Sequence, residues 1–424
     1  MNMEKRLLVA LALSFIVLAV WSNFTVKPKN LQNPLVYPQK TVVTERNSLE
    51  IPPKLNPDSP PSAFFESQQG QRKFVFAEPQ GVIKEVIFSG YQSYVFLLKN
   101  SLLVGVNDLV FTRQLLGSNI VTYTYSDSEK KIVKRFVFSD SSYNFDFFLT
   151  VINLSNSPLE LKLPVVLGTI DPSLDKDKMA FHDVTVFDLE KSSHPNFQKP
   201  ATFNQLKFMA LRDRYFCAII EPEQPGNEGF ITKTSSKGFD IGLFTPELKI
   251  VPRGTWEQKF RVYIGPQNTK ILKSINPDWQ AVIYFGKLDL IAQGLLMLLE
   301  LFYNIFHNWG WVIVFLSLVI YLVLYPLTMK QMKSMKEMQI LQPKIEELRK
   351  VYKDNAQRLN KEILELYRKH KVNPFSGCLP MILQIPIFFA LYQVLTRSIA
   401  LKGANFFWIR DLAESDRLFL FPAN

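Results

Sequence analysis

From Asn308 to Met329 the chain carries no Asp, Glu, Lys or Arg. At 1.5 Å of rise per residue, such a run reaches roughly 30 Å as a helix, the thickness of a bilayer core. A second uncharged run, Val372 to Thr396, is long enough to do the same. Between them, Lys330 to Lys371 alternates charges with apolar positions at helical spacing. Ile340, Leu341, Ile345, Leu348, Val351 and Tyr352 form one stripe, and Leu359, Ile363, Leu366 and Tyr367 another. With a turn at Asp354-Asn355, the pattern predicts two antiparallel helices, a hairpin. Ahead of the first run, Leu288, Ile291, Leu295, Leu298, Leu299, Phe302 and Ile305 keep helical spacing, interrupted by Asp289, Gln293, Glu300 and Asn304. This predicts an amphipathic helix over 287–307. It could pack on a neighbouring domain, but its position just before a span suggests the membrane interface.

Earlier in the chain the period changes. Short β-branched and aromatic runs recur between Gly, Pro, Asn and Ser clusters: Gly81–Ser89, Tyr94–Leu98, Ile120–Tyr125, Ile132–Phe138, Phe145–Asn153, Leu159–Leu167 and Phe216–Ile220. Phe145, Phe147, Leu149 and Val151 alternate with Asp146, Phe148, Thr150 and Ile152. Both faces are largely apolar, which predicts a strand inside a sandwich rather than a wet edge. Residues 63–286 are therefore read as a β-sandwich domain. Before it, residues 25–62 hold Pro28, Pro34, Pro38, Pro52, Pro53, Pro57, Pro60 and Pro61, which keep a linker extended. Residues 1–24 carry Lys5 and Arg6 ahead of the apolar run Leu7–Trp21. Trp21 spoils a small-residue cleavage site, so a retained transmembrane helix is expected.

Charge then sets orientation. Lys5 and Arg6 place the N-terminus in the cytoplasm. Between 330 and 371 stand Lys330, Lys333, Lys336, Lys344, Arg349, Lys350, Lys353, Arg358, Lys361, Arg368, Lys369 and Lys371, which hold the hairpin on the same side. The β-domain and the segment 403–424 after the last span (372–402) then lie on the opposite side of the membrane. The expected fold class is α+β: an all-β sandwich outside the cytoplasm joined to an α-helical transmembrane bundle with a cytoplasmic helical hairpin. The net charge of +11 implies anionic partners. Because much of it lies beside the spans, anionic lipid is favoured over direct nucleic-acid readout.

The candidate chemistry is thin. Cys217 and Cys378 are the only cysteines, and the four histidines are His182, His194, His307 and His370. Neither set has metal-ligand spacing. On this topology the cysteines lie on opposite sides of the membrane and cannot pair; Cys217, in an apolar run, is read as a small buried hydrophobe. Asp171, Asp175 and Asp177, and His182, Asp183 and Asp188, cluster in sequence, and paired carboxylates can serve a glycosidase. Solvated loop carboxylates are far commoner. Arg212, Asp213 and Arg214 read as a surface charge cluster. Within the spans, Ser317, Tyr321 and Gln384 are polar, and a polar group in lipid must face protein or a wet cavity. They could line such a cavity, and hydrogen bonding between helices would also occupy them. Met329, Met332, Met335 and Met338 recur every third residue. Ordinary packing accounts for such a run, and flexible thioethers also suit an adaptable apolar surface.

Several motifs resemble the YidC family of membrane protein insertases. They are Tyr325-Pro326-Leu327-Thr328, Met338-Gln339-Ile340-Leu341-Gln342-Pro343-Lys344-Ile345, Lys371-Val372-Asn373-Pro374, Gly377-Cys378-Leu379-Pro380, Gln384-Ile385-Pro386-Ile387-Phe388 and Ala390-Leu391-Tyr392. Tyr215-Phe216 and Tyr263-Ile264-Gly265-Pro266 are similar to the family's periplasmic domain, a large supersandwich-like β-fold without known catalysis. The resemblance implies an insertase and chaperone of the bacterial inner membrane. It passes hydrophobic segments of nascent membrane proteins from ribosome or Sec translocon into the bilayer through a hydrophilic groove, without cofactor, metal or catalysis. It implies a groove at Ser317, Tyr321 and Gln384, substrate contact at Ile385 and Pro386, and hairpin contact at Met332, Met335 and Met338. Two departures stand out. The groove arginine of most members, four residues before the Tyr-Pro-Leu-Thr motif, is here Tyr321. The family core has three further spanning helices, and this sequence stops at Asn424 near where the next would begin. That leaves open a fragment, helices supplied by another chain, or a chain not active alone. The alternative to an insertase is a membrane-anchored β-sandwich that binds a carbohydrate or a partner protein.

Overall fold

The structure, a computed structural model, describes residues 63–105, 109–139, 142–172, 179–234, 238–353, 355–370 and 379–414. The expected N-terminal helix and linker, Asp175, Asp177, Asp354 and the motif residues from Lys371 to Cys378 lie outside the described residues.

The β-domain is a two-layer sandwich. One layer is a nine-stranded antiparallel sheet. Edge to edge it runs Ser192–Ser193, Asp183–Phe187, Phe208–Arg212, Phe216–Pro222, Thr255–Pro266, Asn144–Asn153, Lys130–Phe138, Ile120–Ser126 and Thr112–Leu115. The other layer combines two four-stranded sheets, 63–101 and a set built on Pro164–Ile170. Backbone bonds from Leu102 N to Val166 O (2.7 Å) and from Val166 N to Leu103 O (2.9 Å) stitch them together. Aromatic side chains fill the space between the layers. Phe88 stacks on Phe216 at 4.1 Å, and Phe74 meets Phe138 at 4.7 Å. Each such ring removes some 150–250 Å² from water.

The strand Asn144–Asn153 is internal to its sheet, and Phe145, Phe147, Leu149 and Val151 point into the core. Its outward Phe148 is half-buried, with Arg135 over the ring at 4.4 Å and Lys259 at 5.7 Å. The expected run Leu159–Leu167 is two strands, Leu159–Leu161 and Pro164–Ile170. Pro164 has no N–H to give a ladder, so it opens a strand rather than continuing one.

Five helices follow the strands: α1 (Thr269–Ile275), α2 (Asp289–Phe306), α3 (Trp309–Val351), α4 (Ala356–Lys369) and α5 (Leu379–Arg397). The Asn268 side chain caps α1 by accepting from Lys270 N (3.0 Å) and Ile271 N (3.2 Å); Asn308 caps α3 in the same way. The apolar run and the first hairpin arm are one continuous helix of 43 residues, with Pro326 and Pro343 inside it. At 1.5 Å per residue it is about 65 Å long, twice a bilayer core. A second apolar core links β-domain and helices. Phe208, Ala210, Cys217, Ile219 and Tyr263 share it with Trp279, Ala292, Leu295, Leu299, Val312, Leu316, Ala390 and Val394. α2 therefore packs on the β-domain as well as on α3 and α5.

Candidate functional site

Buried packing on α3 is confined to its first two turns until the hairpin is reached. Gly310, Val312 and Leu316 are buried, and nothing from Ser317 to Lys333 is. On α5, Ala390 and Val394 are buried, while Gln384 to Phe389 are not. The two helices are held together at one end, where α2 wedges against both, and lie uncovered beyond it. Large apolar side chains stay exposed along both: Leu322, Val323 and Tyr325 on α3, and Phe388, Phe389 and Tyr392 on α5. In water such a surface would demand a partner.

The polar residues sit on these uncovered lengths. Ser317, Tyr321 and Tyr325 recur every four residues and share one stripe of α3. Tyr321 is 56% exposed, with its ring 6.0 Å from that of Tyr325. The Ser317 hydroxyl donates to the Ile313 carbonyl one turn back, at 2.9 Å. Gln384 shares a stripe of α5 with Phe388 and Tyr392 and is exposed, while Ile385 and Pro386 are half-buried. Among the described residues no hydrogen bond joins Ser317 or Tyr321 to Gln384.

In the hairpin, Leu341 and Ile345 of α3 pack with Met338 against Ile363, Leu366 and Tyr367 of α4. Met338 thus belongs to the hairpin core, whereas Met332 and Met335 are exposed. Ile340 and Val351, expected in the same apolar stripe, point outward. Pro343 lies within the turn between Leu341 and Ile345, and these two buried positions keep a spacing of four.

The described carboxylates of the two candidate clusters are engaged. Asp171 pairs with Lys99, Asp188 accepts from Glu190 N and Lys191 N (2.8 Å each), and Asp183 holds Arg212 at 2.8 Å. Burial would raise the Asp183 carboxyl, but His194 at 3.5 Å and Arg212 outweigh it and hold it below the ordinary range. Arg212, Asp213 and Arg214 are not the expected surface cluster. The Arg212 side chain is 2% exposed and donates to the Tyr284 carbonyl. Arg214 Nε donates to Thr396 O of α5 at 2.7 Å. Asp213 accepts from Tyr94 Oη (2.8 Å), Tyr215 N (2.8 Å) and Phe216 N (2.7 Å), yet burial still raises its carboxyl. Cys217 is fully buried, and burial pushes its thiol up.

Lys134 is a buried cation that the motifs did not mark. Its Nζ donates to the carbonyls of Gln80 (2.6 Å), Gly81 (2.7 Å) and Leu102 (3.3 Å) and lies 4.4 Å from the Phe111 ring. Burial pushes the ammonium down to about 7. It alternates in step with the buried Ile132, Phe136 and Phe138, and that parity is the signal that could have found it.

A family model described as "60Kd inner membrane protein" matches residues 301–423, and one described as "YidC periplasmic domain" matches residues 109–298. The chain belongs to the YidC family. A protein named membrane protein insertase YidC from Paraburkholderia phymatum is 31% identical over 326 residues, spanning 72% of this chain and 58% of its own length. One of the same name from Helicobacter pylori is 27% identical over an alignment of 477 positions, spanning 99% of this chain and 84% of its own length. This YidC-family chain spans little more than half the length of the first curated relatives it matches (58% and 55%). Among solved structures, a galactose mutarotase-like protein from Lactobacillus casei aligns with 48% of this chain and 100% of its own, at 9% identity and a TM-score of 0.38. The two YidC-family matches fall on the two parts of the fold, the sandwich and the helices that carry the uncovered faces.

Proposed function

We propose that this chain acts as a membrane protein insertase and chaperone of the bacterial inner membrane. Nascent membrane proteins are its substrates, received from the ribosome or the Sec translocon, with anionic lipids around its cationic flanks. The observation that carries this reading is the uncovered length of α3 and α5, apolar on the whole but with a polar residue on each helix. Ser317, Tyr321 and Gln384 supply the polar lining of a groove, and Ile385 and Pro386 the adjoining contact surface. Met332 and Met335 offer thioethers on the hairpin at the point of arrival, and Met338 anchors them to its core. The N-terminus and hairpin are cytoplasmic and the β-domain periplasmic, with several spans between.

No enzyme chemistry and no cofactor is needed for this work. A central apolar residue gains about 0.3–0.6 kcal/mol on entering the bilayer, so ~20 of them gain on the order of 10 kcal/mol. One charged flanking residue costs about 2.5–3.5 kcal/mol at the centre. The net transfer is downhill and the difficulty is the barrier for the polar flank, which a wet groove lowers.

The test is site-specific photo-crosslinking from Tyr321 and Gln384 to a ribosome-stalled membrane protein. Adducts at both positions, and none from the outward Val351, are expected. Absence of adducts at both positions would overturn the groove assignment.

A further inference from the structure

We propose that a cavity beside α2 binds the headgroup of a phospholipid that carries a phosphodiester and a primary ammonium, the phosphatidylethanolamine class. The cavity, about 160 Å³, lies where the start of α1, one face of α2 and the end of α5 meet. Lys270, Glu300 and Arg397 line it together with Tyr303, Trp309 and Val394. Two cations and one carboxylate thus border a single space. None of the three belongs to an ion pair among the described residues. Arg397 Nε is buried without a hydrogen-bond partner, its Nη1 donates to the Tyr284 carbonyl at 3.4 Å, and the guanidinium lies 5.7 Å from the Phe181 ring. The nearby carboxylate, Asp183, is taken by Arg212. A largely buried guanidinium whose nearest carboxylate is already paired with Arg212 is under-compensated, and an anion in the cavity relieves it.

The faces of α2 say which kind of anion. At 100° per residue, Ala292, Leu295 and Leu299 form the buried face. Asp289, Gln293 and Glu300 form a polar face, of which Glu300 borders this cavity and the other two line a neighbouring one beside His194 and Tyr284. Leu290, Met297, Leu301 and Ile305 form a third face, and all four are exposed. A free phosphate would satisfy the cations but would leave this apolar strip in water. A lipid satisfies both, its phosphodiester at Arg397 and Lys270 and its acyl chains along Met297, Leu301 and Ile305. Trp309 stacks on Tyr303 at 4.1 Å in the cavity wall, the aromatic pairing expected at headgroup depth. Glu300 then selects among lipids. A primary ammonium offers it N–H donors, a trimethylammonium offers none, and a glycerol headgroup leaves it facing no charge.

The test uses the full chain in detergent, titrated with phosphatidylethanolamine, phosphatidylcholine or phosphatidylglycerol of one chain length and followed by native mass spectrometry and thermal unfolding. Phosphatidylethanolamine is expected to bind several-fold more tightly than the other two. Glu300→Gln should bring it down to the phosphatidylcholine level, and Lys270→Gln should weaken all three by several-fold. Soluble phosphoethanolamine should bind at least tenfold more weakly than the lipid. Equal affinity for the three lipids, an ethanolamine preference that survives Glu300→Gln, or equal binding of phosphoethanolamine and lipid would overturn the proposal. Any of these would leave the groove reading untouched, because the crosslinking experiment probes other residues.

Discussion

Asp240 shows how a single buried carboxyl shapes stability in this fold. It is 1% exposed and accepts from Thr169 Oγ1 at 2.5 Å, with no cation beside it in an ion pair. Burial raises its carboxyl from 3.8 to about 6, against the lowering effect of the Thr169 bond. The folded state therefore favours the neutral acid. Below about pH 4 the group is neutral in both states and costs nothing. As pH rises through 6, the folded protein must either ionise Asp240 in place or hold a proton the solvent would take. The loss is complete above that, about 2–3 kcal/mol for a shift of this size. Asn at this position keeps an acceptor for Thr169 and removes the charge. Asp240→Asn should raise stability at pH 8 by roughly 1–3 kcal/mol and flatten its decline between pH 4 and 6. Urea unfolding of the full chain in detergent at several pH values reads this directly, and an unchanged slope would place the pH dependence elsewhere. At this scale the sequence is only partly legible. Lys134 could have been marked by its inward parity. Arg212 and Arg214 could not, because a run of charges in a loop looks solvated, and their partners Tyr284 and Thr396 are remote in the chain. Only the folded chain brings them together.

Whole elements were more legible than their partners. Neutral runs of spanning length located α3 and α5, and period-two alternation located the strand Asn144–Asn153, because both patterns are imposed by the solvent on each face. The continuity of α3 was not legible. Its boundary was placed where charge begins, yet backbone hydrogen bonds are indifferent to whether the side chains are Leu or Lys. The packing of α2 against both α3 and α5 was also hidden, since it depends on side chains remote in the chain. Two glycines test this packing. A Cβ on Gly310 in α3 would come within 2.0 Å of the Phe406 ring, whereas a Cβ on Gly294 in α2 would meet nothing within 4 Å. Gly310→Val should force Phe406 away and cost about 1–3 kcal/mol, as overpacking does. Gly294→Ala should be neutral or stabilise α2 by up to about 1 kcal/mol. Thermal unfolding of both variants decides it: comparable losses would mean that the Phe406 contact does not anchor this end of α3.

At the scale of the molecule, the β-domain and the helices share a core, which is not the arrangement of a domain on a tether. Trp279 stands at the centre of that core. Its side chain is fully buried, 5.7 Å from the Tyr263 ring of the sheet, and it belongs to the same cluster as Leu295 and Leu299 of α2. Truncating a buried Trp costs about 3–5 kcal/mol through lost burial and the cavity left behind. Where that cost falls distinguishes two architectures. If the parts are joined only by chain, Trp279→Ala loosens its own turn and neighbouring strands and leaves α2 as protected as before. If they are one cooperative unit, the loss is shared. Hydrogen exchange of the full chain in detergent should then show protection falling together in Phe216–Pro222, Thr255–Pro266 and α2, by a comparable factor in each. Unchanged protection of α2 beside a weakened sheet would sink the shared-core picture. The expected outcome matters for the proposed groove, because the cluster that contains Trp279 also contains Val312 and Leu316 of α3 and Ala390 and Val394 of α5. A β-domain built into that end ties the positions of both helices there to the sandwich.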